Sequence, residues 1–221
     1  MVKENVEKIK QKILGKFPDF KNKFGEDIII VAASKNQSPE TLQCLKNSGI
    51  GICGENRVQE FLGKYGKVET DWHFIGNLQT NKVKYIVNKV DLIQSCNSER
   101  LADCISCESI KREIVSNILL EVNIADEQSK RGVNLQSFKN LFEYSKNLKN
   151  LKILGLMAMM PLEKNITKNK ELYLQMRTLY DKIRSTYGGF QYLSMGMSND
   201  YLLAVDCGAN MIRLGNAIFN S

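Results

Sequence analysis

With 221 residues and 43% hydrophobic content, the chain is long enough for one large core. No composition break or linker rich in Pro, Gly or Ser divides residues 1–221, so a single domain is expected. The formal charge of +7 would suit a polyanion, yet the lysines are scattered through every predicted helix and never gather with aromatic residues, which argues against nucleic acid.

Met1 to Phe17 sets Val2, Val6, Ile9, Ile13 and Leu14 among charges, which predicts an amphipathic helix and no signal peptide. Residues 1–20 thus stand outside the repeat that follows. Ile28 to Val31 is a run of four β-branched residues, the mark of a short strand buried on both faces, and it leads to Lys35. Ser38-Pro39-Glu40 then opens a helix over 40–47, leaving Lys35 at a strand tip. A lysine there can be a solvated loop charge or a functional amine.

The pattern recurs. Gly49 to Asn56 holds the second strand, with a helix over Arg57 to Tyr65; Trp72 to Ile75 the third, with a helix over Thr80 to Asn88. Asp91 to Gln94 is the fourth strand, followed by the helix 98–113. That helix carries Cys104 and Cys107, the only C-x-x-C among six cysteines; with one histidine in the chain, reduced cysteines in a cytoplasmic protein are expected and a metal site is not. Asn117 to Ile124, Ile153 to Met159, Gln191 to Met195 and Met211 to Leu214 complete the strands, with helices over 134–147, 168–187, 199–207 and from Ala217. No segment approaches membrane-spanning length.

Eight strand-helix units are the number at which a parallel sheet closes on itself, so the expected fold is α/β, a (β/α)8 TIM barrel with an extra N-terminal helix. An open doubly wound sheet would want a dinucleotide fingerprint. Gly49-Ile50-Gly51 precedes a strand, and Gly76-Asn77-Leu78-Gln79-Thr80-Asn81-Lys82 lacks the second glycine of a phosphate loop.

Such barrels keep their chemistry at the C-terminal rim and often hold phosphate between the loops after strands seven and eight. Ser198 offers a hydroxyl after strand seven, and Gly215 and Asn216 offer backbone N–H groups where the last helix begins. By alternation Arg213 shares the inward face with Gly215. Closing the barrel sets this cradle beside Lys35. A ligand with both an aldehyde and a phosphate would join them, and pyridoxal 5′-phosphate is that ligand, with a partly desolvated Lys35 as its Schiff-base partner.

Five runs carry a resemblance: Val31-Ala32-Ala33-Ser34-Lys35, Gly54-Glu55-Asn56-Arg57-Val58-Gln59-Glu60, Trp72 to Lys82, Leu193-Ser194-Met195-Gly196-Met197-Ser198, and Arg213-Leu214-Gly215-Asn216-Ala217-Ile218-Phe219. They resemble the pyridoxal phosphate homeostasis protein family over nearly the whole chain. The resemblance implies a fold type III barrel similar to the N-terminal domain of alanine racemase. Lys35 would carry the cofactor, Ser198, Gly215 and Asn216 would hold its phosphate, Arg213 would face the pyridine nitrogen, and Asn56 would lie near the ring. It also implies a cofactor-handling role in the cytoplasm, with PLP-dependent apoenzymes as recipients. The family usually has threonine where this chain has Asn216 and glycine where it has Asn220, so altered phosphate contacts are expected.

An arginine at the pyridine nitrogen weakens the electron sink on which carbanion chemistry depends. Racemases of this kind draw an opposing base from a second domain across a dimer, and the chain ends at Ser221 without one, so a monomeric binder is expected in place of an enzyme. The alternative is a PLP-dependent amino-acid racemase of weak, broad activity. His73, the one histidine, can be a satisfied barrel residue or a ligand contact. Met157 and Met159 occupy the sixth strand, where the resemblance would put a ring-stacking group; Met157 is assigned to the ring. Glu127, Ser129 and Lys130 match a family motif that could touch cofactor or partner, and Asp200 is read as complementing a helix dipole.

Overall fold

The computed structural model describes residues 1–125, 132–161 and 166–220. Helix α1 (Val2–Leu14) precedes the repeat: β1 (Ile29–Ala33), α2 (Pro39–Asn47), β2 (Ile52–Glu55), α3 (Val58–Lys64), β3 (Asp71–Phe74), a 3-10 segment (Thr80–Tyr85) and β4 (Leu92–Cys96). The second half adds α4 (Glu99–Lys111), β5 (Ser116–Val122), α5 (Leu135–Ser145), β6 (Leu151–Ala158), α6 (Ile166–Tyr187), β7 (Tyr192–Ser194), α7 (Tyr201–Asp206), β8 (Met211–Leu214) and α8 (Asn216–Phe219). Each strand pairs in parallel with the next, and β8 returns to β1, so the sheet is a closed barrel in chain order.

Local sequence accounts for the starts of the helices. Ser38, Ser98 and Asn134 accept hydrogen bonds from the backbone N–H groups of Thr41, Leu101 and Ser137, which satisfies donors that the first turn would leave open. Where a full helix was expected over Thr80 to Asn88, the chain makes a 3-10 segment. Val83 and Ile86, three residues apart and both fully buried, take the spacing at which 3-10 side chains align.

Alternation divides the strands between two apolar regions. Ala32, Cys53, Trp72 and Phe74 face the helices, while Val31, Leu92, Leu119, Met157 and Met211 close the barrel interior. Helix α1 buries Val6, Ile9 and Ile13, and the Asn5 side-chain amide donates to the carbonyls of Ile218 at 3.0 Å and Asn220 at 3.2 Å. The extra helix is therefore fastened to α8, the element that opens one wall of the rim.

Candidate functional site

Lys35 follows β1 after one residue, Ser34, through which the turn is tied down. The Ser34 N–H donates to the Gly54 carbonyl at 2.9 Å, and its hydroxyl donates to Glu55 Oε1 at 2.8 Å. Lys64 Nζ, reaching back from α3, lies 2.5 Å from the same carboxylate oxygen and donates to the Ser34 carbonyl at 2.7 Å. Glu55 is wholly buried and Lys64 nearly so. The other Glu55 oxygen accepts the Asn56 N–H at 3.2 Å, so one carboxylate anchors the backbone at both Lys35 and Asn56. Asn36 completes the turn with φ +62, a conformation asparagine tolerates, and donates its N–H to Glu60.

The opposite wall is built from backbone. Gly215 N–H and Ala217 N–H both donate to Ser198 Oγ, at 3.3 Å and 3.1 Å. Of the two N–H groups expected to be unshielded, that of Gly215 is thus already given to a hydroxyl, and the second donor to Ser198 is Ala217 in place of Asn216. Because α8 has only four residues, the cradle acts through individual N–H groups and gains little from a macrodipole. Its loop is braced by Asp200, which accepts the Met197 N–H at 2.7 Å and the Tyr173 hydroxyl at 2.7 Å. Asp200 stands at the N-cap of α7 as the sequence reading had it, and its side chain, which caps no helix N–H, also holds the Ser198 turn.

Arg213, 5% exposed, forms the floor, with Nη2 donating to the Ala158 carbonyl at 2.9 Å and Nη1 to Ser194 Oγ at 2.6 Å. Burial lowers its pKa from the ordinary guanidinium value, opposed by the nearby Tyr173, Glu121 and Asp200, and an arginine remains charged throughout.

These parts meet in one cavity of about 370 Å³ whose walls include Lys35, Asn56, Ser198, Arg213, Gly215 and Asn216. A second cavity of about 550 Å³ adjoins it, sharing Lys35, Asn56, Ile75 and Met159 and adding Arg57, Asn77 and Glu121. Gly76 makes the junction possible, since a Cβ there would lie 2.1 Å from the Asn56 carbonyl oxygen.

Six of the seven residues singled out in the sequence line the smaller cavity, and Met157 does not. It is fully buried in the closed interior with Val31 and Leu119, while Met159 reaches the cavity wall. Two residues of extended chain separate them, about 6.6 Å, so the right face was chosen one layer too deep. Lys35 is exposed at the rim. His73 points into the interior against Gln94 at 2.9 Å, and burial pushes its pKa down to about 4. Glu127, Ser129 and Lys130 lie outside the described residues. Among the described residues no group of three or more His, Cys, Asp or Glu is placed to hold a metal, and no helix is long and apolar enough to cross a membrane.

Sequence reasoning named Met159 without assigning it to the ring, and it missed Asn77, Glu121 and the Glu55–Lys64 pair. Alternation could have found Glu121, an acidic residue two positions beyond Leu119 on an inward face. No local signal marks Lys64 as buried, because it sits in a helix of ordinary surface composition.

A closed parallel barrel of eight strands, with Lys35 and the Ser198 and Gly215 turns lining one cavity at its rim, is a barrel of the alanine racemase N-terminal kind. Residues 24–221 match the family model described as alanine racemase, N-terminal domain. The pyridoxal phosphate homeostasis protein of Aquifex aeolicus is 42% identical over 194 residues, 86% of this chain and 85% of that one. That of Helicobacter pylori strain J99 is 38% identical over 197 residues, 86% of each. The chain belongs to the pyridoxal phosphate homeostasis protein family. Among solved structures, PipY of Synechococcus elongatus PCC7942, with PLP bound, has a TM-score of 0.85 at 26% identity over the whole of both chains. An alanine racemase of Clostridium difficile 630 has a TM-score of 0.77 at 14% identity, covering 99% of this chain and 60% of that one, a likeness of fold.

Proposed function

We propose that the protein binds pyridoxal 5′-phosphate at this rim, holds it covalently through Lys35 and passes it to other proteins of the cytoplasm, without catalysing a reaction of its own. One observation carries this: Lys35, the Ser198–Gly215 cradle and Arg213, remote in sequence, wall a single cavity of about 370 Å³. The residues fit the group. The Lys35 amine is exposed to take up an aldehyde. Ser198 and the N–H groups of Gly215 and Asn216 would receive a phosphate, with Asn56 on the ring's flank and Arg213 at the ring nitrogen. Bound there, the cofactor supplies a reactive aldehyde and an electron-accepting ring. The relatives named for its homeostasis and PipY with PLP bound support the same ligand.

Two of the residues near the cavity favour storage over turnover. His73 is turned into the interior and engaged by Gln94, and the wall at the end of β6 is the thioether of Met159, which moves no proton. Purified protein incubated with the cofactor should gain visible absorption, and borohydride reduction followed by mass spectrometry should locate the adduct on Lys35. Lys35→Ala should abolish both. An adduct on another lysine would overturn the assignment, and sustained deuterium exchange at Cα of added L-amino acids would replace the carrier with a racemase.

A further inference from the structure

Beneath the cavity floor, four polar side chains from four strands form one chain of hydrogen bonds across the barrel. Arg213 Nη1 donates to Ser194 Oγ at 2.6 Å, the Ser194 hydroxyl donates to Gln94 Oε1 at 2.6 Å, and Gln94 Nε2 meets His73 Nδ1 at 2.9 Å. All four are buried, Ser194 and Gln94 completely. The strands involved are β8, β7, β4 and β3, so the chain crosses from the cradle side of the barrel to the far wall.

Its direction is set at one end. A guanidinium has donors and no acceptor, so the Ser194 oxygen must accept and its only proton must go on to the Gln94 carbonyl. That orientation leaves the Gln94 amide group as donor, toward His73 Nδ1 and also toward Met211 Sδ at 3.3 Å. Nδ1 must then carry a lone pair, and the ring proton sits on Nε2. Turning the Gln94 amide over would leave the Ser194 hydroxyl hydrogen facing an NH2 group in a dry interior, a costly arrangement.

We propose that Ser194 and Gln94 are positioning residues: they clamp the Arg213 guanidinium at the cavity floor, facing the ring of a ligand held between Lys35 and the Ser198 cradle, and they hold His73 as the neutral Nε2–H tautomer. The clamp has two anchor points, Ser194 Oγ and the Ala158 carbonyl, which stop the guanidinium from rotating out of the cavity. Only the ligand-facing half rests on the cofactor reading above.

Two measurements test it. Because the chain has one histidine, ¹⁵N resonances of the ligand-free protein report His73 without ambiguity. At neutral pH Nδ1 should resonate as an unprotonated ring nitrogen and Nε2 as a protonated one. Gln94→Glu, whose carboxylate can only accept, should bring a proton to Nδ1. A wild-type ring protonated at Nδ1 would overturn the chain. The second measurement separates the two ends of the cavity: Ser194→Ala should weaken capture of pyridoxal, which lacks the phosphate, by about tenfold to a hundredfold while leaving inorganic phosphate affinity within about twofold. Ser194→Thr, which keeps the hydroxyl, should recover most of the loss. Unchanged pyridoxal affinity in a folded Ser194→Ala protein would overturn the positioning role, as would an equal loss of both affinities. Wild-type protein that captures neither pyridoxal nor pyridoxal 5′-phosphate would sink the cofactor reading and the ligand-facing half with it, and the tautomer result would still decide the chain.

Discussion

The two walls of the cavity solve the same problem by different physics. The Lys35 wall is held by buried side-chain charge, one carboxylate gathering Ser34, Lys64 and the Asn56 backbone. The cradle wall presents backbone N–H groups gathered on the Ser198 hydroxyl, its loop braced by Asp200, on a helix that α1 fastens from outside. The buried charge fails when one atom group is removed, whereas the backbone donors of the cradle survive most substitutions. The amine must be aimed, and an anion needs only donors.

The largest expected break follows from Glu55→Ala. It leaves the buried Lys64 ammonium with only the more distant Glu60 carboxylate, 3.8 Å away, and the Ser34 carbonyl, and unfolding by urea should show about 3 kcal/mol of lost stability. Replacing Glu55 and Lys64 together by Leu and Met should restore much of that stability, because the buried charges leave as a pair, and should leave aldehyde capture at Lys35 slow. Recovery of both would show that the ion pair does not position Lys35.

The floor below the walls has its own sensitivity. Burial holds His73 at about 4 against 6.5 ordinarily, so the unfolded chain binds a proton that the folded chain refuses. The contribution of the neutral ring is complete above about pH 6.5 and is lost as pH falls toward 4, about 3 kcal/mol in all. Urea midpoints measured across that range should trace the loss, and His73→Gln should remove that part of the slope.

Gly76→Ala sharpens the comparison from the amine side. The added methyl meets the Asn56 backbone, which is fixed by Glu55, so about 1–3 kcal/mol of strain is expected. Aldehyde capture should suffer while inorganic phosphate binding, read by calorimetry, stays. Ser198→Ala should do the reverse and more weakly, costing about 1 kcal/mol of phosphate affinity because the backbone donors remain. Asn216→Thr should be smallest, within about 0.5 kcal/mol, since the N–H is unchanged.

Much of this was readable in the chain. Runs of β-branched residues alternating with amphipathic stretches announced eight units, and the tips of the first, second, seventh and eighth strands supplied six residues that line one cavity. Boundaries moved by a few residues, and one expected helix became a 3-10 segment. Met157 and Met159 share a face, and alternation tells the face of a residue without telling its depth. Asp200 carried a familiar helix-end signature, and beside its local partner Met197 the fold supplies Tyr173.

By itself, then, the order of residues determined the repeat, the closure and the chemistry available at the rim, because periodicity and turn residues act over a few positions. Only the tertiary structure decided what stands behind those residues. Lys64 beneath Ser34 and Gln94 beside Ser194 meet across 30 and 100 positions. Contacts of that kind depend on how the barrel closes and how deep each side chain sits, quantities no local pattern encodes.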